Sequence, residues 1–297
     1  MRWTLWIAFA ALCILSGTFW LIPDSMTSEV PPLERQGLVF GGVGLAAVFF
    51  AGRVLRNRIG DLQWVWLAVA AMGFFGVPIV VAGYVRGSVP AISRSALFAM
   101  VPVVVVLVVA ASDRAEGESS ARQLLVPALT GLGGLLLLLP LDLSRSVWGY
   151  LMLVLVCAAV VLVGLANVWL YRLLRGFRFA EAIAIAGLSN AIFLLGWSVV
   201  REDVVWRWGG LGSIVSISSL VDVLEVMLIV WLLREMQPTR FAARYLVIPL
   251  LTILESYVVM RPDWTVRMGF GTLLLAAGAG ALLFWKVSDE ETVLSLR

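Results

Sequence analysis

The sequence predicts an all-α membrane protein: ten transmembrane helices in two inverted five-helix repeats. Three observations predict it. Ten apolar stretches of about 17 to 26 residues fill the chain, and a helix needs roughly 20 such residues to cross a bilayer. Charged residues make up only 14% of the 297 residues and hydrophobic ones 61%; a soluble domain carries about 25% charge. The proline and glycine punctuation of the fourth and fifth stretches recurs in the ninth and tenth.

The predicted spans are 3–22, 36–52, 63–85, 95–111, 123–141, 146–171, 179–200, 209–233, 241–260 and 266–285. The first, WTLWIAFAALCILSGTFWLI, has a longer apolar run than a signal peptide and no small-x-small cleavage site, so it reads as a membrane helix. PDSMTSEVPPLER then leads into the Gly-rich second span, and NRIGD into the third, which carries Phe74, Phe75, Gly73 and Gly76. RGSVP opens the fourth span, which contains Pro102, and an acidic loop, SDRAEGESS, precedes the fifth. The sixth and seventh spans hold Asn167 and Asn190. REDVVWRWGG leads to the eighth, EMQPT to the ninth with Pro249, and MRPDW to the tenth. Trp3, Trp20, Trp64, Trp148, Trp206, Trp208, Trp264 and Trp285 fall near span ends, where indole rings rest at the headgroup level.

With the N-terminus in the cytoplasm, the inner segments carry fourteen of the 22 Lys and Arg residues, among them Arg2, Arg53, Arg56, Arg58, Arg114, Arg122, Arg244, Lys286 and Arg297. The outer segments hold eight, including Arg35, Arg145 and Arg207. That bias places both termini inside a cell (inner) membrane. The same scatter of single arginines argues against nucleic-acid binding, although the net charge is +3. Cys13 and Cys157 lie in apolar segments and read as small buried hydrophobes, not as a disulfide or metal site. Histidine is absent, so proton coupling would have to use carboxylates.

The two halves, 1–145 and 146–297, are weakly alike. SVPAISRSALFAMVPVVVVLVV followed by LLVPALTGLGGLLLLLP matches QPTRFAARYLVIPLLTILESYVV followed by MGFGTLLLAAGAGALLF. Five helices per half is odd, so the second copy enters the membrane from the opposite side. Inverted repeats of this kind mark secondary transporters, with the substrate site near the midplane.

Together, FAMVPVVVVL, YLVIPLLTIL and the glycines 131, 133, 134, 269, 271, 278 and 280 resemble the fourth and fifth helices of each repeat in EamA-type transporters, part of the drug/metabolite transporter superfamily. GTFWLIP and PPLERQGLVFGGVGLAAVFF are similar to the first two helices. Arg261-Pro262 stands where that family has a glycine–glutamate pair. The resemblance implies a carrier of a small metabolite or drug-like compound, working outwards by alternating access, with the eighth and ninth helices lining its cavity.

Of the 19 acidic residues, 16 lie in loops or at span ends, and the other three are Asp222, Glu225 and Glu255. Carboxylates in a bilayer are costly and face a bundle interior or a water-filled cavity. Ser218, Asp222 and Glu225 share one face by helical periodicity. Asp222, placed midway along the eighth span, is a proton acceptor or counter-charge, or else a structural partner of Asn190 or Asn167. Its Asn variant is expected to insert normally while losing transport. Glu255 lines a cavity or snorkels outwards to Arg261. Asn167 and Asn190 contact substrate or glue helices together. Pro102 and Pro249 are candidate kinks.

No nucleophile elbow, HExxH, phosphate loop or cysteine pair appears, so no catalytic or metal residue is assigned and no cofactor is expected. The expected partners are the lipid bilayer and a small molecule, with proton coupling open and a monomer or homodimer as the assembly. A membrane receptor or scaffold, or a membrane enzyme using the two carboxylates, is the alternative.

Overall fold

In the computed structural model, residues 3–21, 30–58, 62–113, 123–139, 146–201, 216–261 and 265–285 are described. Arg2, Arg114, Arg122, Arg145, Trp206, Arg207, Trp208, Pro262, Trp264, Lys286, Arg297 and the expected start of the eighth span at 209–215 lie outside them, as do the side chains of Trp20, Arg53, Arg56 and Arg58. The described residues are overwhelmingly helical and contain no strand. In chain order the helices are α1 (Trp3–Thr18), α2 (Pro32–Arg58), α3 (Gln63–Tyr84), α4 (Ala91–Phe98), α5 (Val101–Asp113), α6 (Leu125–Leu138), α7 (Val147–Leu174), α8 (Phe179–Arg201), α9 (Ile217–Glu235), α10 (Pro238–Ala242), α11 (Arg244–Met260) and α12 (Val266–Phe284).

Among the described residues, seven segments are long and apolar enough to cross a membrane, the pattern of a multi-pass membrane protein. Two of these segments, Ser93–Ser112 and Pro238–Met260, each run through a helix break. α1 and α6 are apolar but shorter. α9 stands apart because it carries Asp222, Glu225, Arg234 and Glu235.

Several expected boundaries move. α2 starts at Pro32, because proline suits the first helical position, so Glu34 and Arg35 belong to the helix and not to a loop. The fourth span divides at Ala99–Met100. Pro102 therefore sits in the first turn of α5, where its missing N–H has no intrahelical partner to lose. It starts α5 directly after the break in the span, the place where a proline interrupts a helix. Pro249 does lie inside α11. Arg244, counted with the inner loops, is 6% exposed at the α10–α11 join. Its guanidinium stacks 4.3 Å over Phe241 and 4.7 Å over Tyr245 and donates to the Tyr245 hydroxyl at 2.9 Å.

The chain forms two compact units, each discontinuous in sequence and each drawing on both halves of the chain. The first holds Met1–Gly83 and Trp169–Glu235. Its spine is α2 packed antiparallel on α8, with Gly37 against Leu195, Gly41 against Ala191 and Gly44 against Gly187 and Leu188. A Cβ on Gly187 would lie 2.7 Å from Gly44 Cα, so neither glycine can be replaced without pushing the helices apart. α3 contains a π-helical turn, Met72–Gly76, whose Gly76 abuts Asn190 and Phe193 on α8. Phe75 stands edge-on to Phe40 at 5.5 Å between centroids.

The second unit holds Tyr84–Val168 and Met236–Arg297. Here α6 and α12 form an antiparallel pair in which Gly131 meets Gly278, Gly134 meets Leu275, and Leu138 meets Gly271. Arg267 Nε donates to the Leu137 carbonyl at 2.6 Å, which satisfies an orphan acceptor at the C-terminal end of α6. Thr265 caps α12 by accepting from Met268 N at 3.2 Å. Arg261 ends α11 in the left-handed region, at φ 46°.

Candidate functional site

The site begins with the start of α9. Ser216 precedes the helix, and its hydroxyl accepts from Ser219 N at 3.3 Å, a serine N-cap. The same hydroxyl lies 2.9 Å from Ser218 Oγ and 3.0 Å from Ser219 Oγ. One turn on, Asp222 joins Ser218 on the buried face; Ser218 is fully buried and Asp222 is 8% exposed. Asp222 is therefore five residues into the helix, about 7–8 Å along its axis, and belongs to its N-terminal part. The midway position expected from the 209–233 span does not hold, because the serine cap starts the helix at Ile217.

The partner of Asp222 comes from the first turns of α2. Arg35 Nη1 donates to Ser218 Oγ at 2.9 Å and lies 3.3 Å from Asp222 Oδ2. Both side chains are largely buried, at 14% and 10% exposure. The Gln36 side chain also donates to the Asp222 carboxylate. One turn further along α9, Glu225 Oε1 accepts from Ser16 Oγ of α1 at 2.8 Å. Three helices thus converge through a carboxylate–guanidinium pair, a second carboxylate and four serine hydroxyls.

Desolvating two charges is costly, and such a pair persists when close geometry and further hydrogen bonds satisfy its remaining atoms. Ser218 supplies one such bond to the guanidinium and Gln36 one to the carboxylate, while Asp222 Oδ2 has only its ion pair with Arg35 among the described residues. The arrangement presents one positive and two negative groups beside hydroxyls that can donate or accept. Such a set of groups can hold a polar solute or a charge inside an apolar helix bundle.

Of the residues singled out from sequence, the fold brings Ser218, Asp222 and Glu225 together. Asn190 is in the same unit but does not bond Asp222. Its Nδ2 donates to the Ala186 carbonyl at 2.8 Å, and its buried Oδ1 has no hydrogen-bond partner. Asn167, Glu255, Pro102 and Pro249 belong to the second unit. Asn167 is fully buried, and neither atom of its amide has a hydrogen-bond partner among the described residues. The structural alternative for Asp222, a bond to Asn190 or Asn167, is therefore not made; Arg35 takes that role. Beside Glu255, the Thr252 and Ser256 hydroxyls are turned onto their own helix, donating to the Ile248 and Ile253 carbonyls at 3.1 and 2.7 Å.

Arg35, Ser16, Gln36 and Ser216 were not singled out. A signal existed for Arg35: the Pro31-Pro32 pair marks a helix start, which puts Arg35 one turn inside α2. Nothing in the sequence pairs Ser16 with Glu225, because the contact spans 209 positions.

No family model matches the chain, and no curated protein matches it. Among solved structures, one described only as the crystal structure of a protein resembles it at TM-score 0.69 and 21% identity, over 96% of this chain and 97% of its own. At that identity the likeness bears on the fold alone, and it extends nearly end to end.

Proposed function

We propose that this protein is a secondary carrier of the EamA type, moving a small polar or amphipathic metabolite across the cell membrane by alternating access. The observation that carries the reading is the cluster of buried Ser218 and Asp222 with the largely buried Arg35 and the partly buried Glu225, joined across α1, α2 and α9. Ionisable groups inside a membrane helix bundle are rare, and they mark substrate or ion pathways.

Two features of the packing support the inverted-repeat part of the proposal. Counting the predicted spans, the glycine-lined pairs are the second with the seventh (α2 with α8) and the fifth with the tenth (α6 with α12). Both pairs are antiparallel and separated by five spans, the relation expected between equivalent helices of two oppositely inserted halves. Moreover, the fourth and ninth spans are both interrupted, at Ala99–Met100 and at Ala243, and discontinuous helices accompany transporter binding sites.

The proposal is tested by flux. Purified protein in proteoliposomes is expected to accumulate or release at least one member of a broad metabolite panel under an imposed substrate or proton gradient. Protein that is folded yet moves nothing under any gradient would redirect the reading to a membrane receptor or scaffold. Comparing metabolite profiles of deletion and overexpressing cells would narrow the panel, and a pool that rises on deletion would mark export.

A further inference from the structure

We infer that the Arg35–Asp222 pair is a releasable clamp that closes α9 onto α2 at their N-terminal ends, with Arg35 as the positioning residue that controls it. Its purpose rests on the carrier reading above, but its geometry does not. Two kinds of helix contact occur in the first unit, and they differ in how easily they open. α2 and α8 meet backbone to backbone, with a Cβ on Gly187 falling 2.7 Å from Gly44 Cα and 2.9 Å from its amide nitrogen. Such a pair moves as one body.

α9 is fastened differently. Arg35 reaches across from α2 to Ser218 and Asp222, at 2.9 and 3.3 Å, and Ser16 of α1 reaches Glu225 at 2.8 Å. Bridges built from long side chains open by rotamer changes and leave the helix backbone intact. Both bridges lie on one face of α9, three residues apart, beside the C-terminal end of α1 and the N-terminal end of α2. Towards its other end α9 is packed through Val226, Val230, Leu232 and Leu233, all buried and apolar.

Releasing the bridges therefore frees one end of α9 while the other stays seated, a rocking motion about the apolar end. Charge decides the balance. Separating the pair in apolar surroundings leaves two uncompensated ions, so the clamp opens only as water or a polar solute enters. A static staple of the same strength would be served by apolar residues; an ion pair can be exchanged.

The test reads accessibility without needing the cargo. In a Cys13→Ser, Cys157→Ser background, Ser219→Cys places a thiol at the clamp, where Ser219 is 6% exposed. The protein is reconstituted in liposomes and labelled with a membrane-impermeant methanethiosulfonate reagent applied to each side. A clamped site leaves the open state at roughly 0.1–10% of molecules, so labelling is slow. Adding Arg35→Gln is expected to raise the rate about tenfold or more from one side, Asp222→Asn to do the same, and Arg35→Lys, which keeps the charge, to fall between. Equal rates in all four proteins, fast labelling of the parent, or charge-removing variants that no longer fold would each make the pair a static staple and overturn the inference. Altered labelling without flux of any panel member would keep the clamp and remove the carrier reading. Flux with unaltered labelling would do the reverse.

Discussion

At the scale of single residues, the pairing of Asp222 with Arg35 changes what its substitution means. Asp222→Asn keeps shape and hydrogen bonding, and from sequence it was expected to leave folding untouched. With Arg35 3.3 Å away and largely buried, the Asn variant leaves a guanidinium without its counter-charge. Breaking a buried pair by removing one partner costs about 3–5 kcal/mol, and the residual exposure here puts the expected loss towards the lower end. Thermal unfolding in detergent should show Asp222→Asn and Arg35→Gln each clearly destabilised, and the double variant less so than their sum. Strict additivity would mean that the two groups do not interact. Asn167 gives the opposite expectation. Its fully buried amide has no hydrogen-bond partner among the described residues, so replacing it by leucine should stabilise the fold by about 1–3 kcal/mol. A lowered unfolding temperature for Asn167→Leu would show that the amide is satisfied after all.

Within α2, three glycines separate packing from propensity. Gly41 and Gly44 face α8, while a Cβ on Gly42 would meet nothing within 4 Å. Gly42→Ala should therefore be neutral or gain up to about 1 kcal/mol from helix propensity. Gly44→Ala drives a methyl to within 2.8 Å of Leu188 N and should lose about 1–3 kcal/mol. Gly134→Ala on α6 belongs with Gly44, since its Cβ would come 2.7 Å from the Gly271 carbonyl oxygen. Unfolding midpoints of the three variants, measured in one detergent, check the ordering; a Gly44→Ala protein as stable as Gly42→Ala would dismiss the α2–α8 crossing. The elements themselves were largely legible, because runs of apolar residues between charged and proline-bearing segments name membrane helices directly. Their interruptions were legible only in part: the break at Ala99–Met100 lies just ahead of Pro102, whose missing N–H cannot continue the helix ladder, whereas the π-helical turn in α3 carries no mark in the composition.

For the whole molecule, the loop arginines and the ten predicted spans give a topology that a reporter can test. A reporter fused after Arg297 is expected to be active only on the cytoplasmic side, as is one fused ahead of Met1. Activity of the C-terminal fusion on the opposite side would leave an odd number of crossings and break the inverted-repeat proposal.

By itself, the sequence left Glu34 and Glu181 off the list of buried charges, and of the three carboxylates it named only Asp222 is buried. It did determine the helical class and the positions of most helices. Those follow from hydropathy and periodicity, which are local properties of a chain in lipid. Only the tertiary structure decided which charges meet. Arg35 read as a loop arginine until the start of α2 and the serine cap of α9 set both helices in register, with Ser218 and Asp222 opposite its guanidinium. Likewise, the glycines announced close contacts without naming partners, since small residues permit an approach but the opposing surface selects it. Pairings between residues up to 209 positions apart depend on packing that no local pattern encodes.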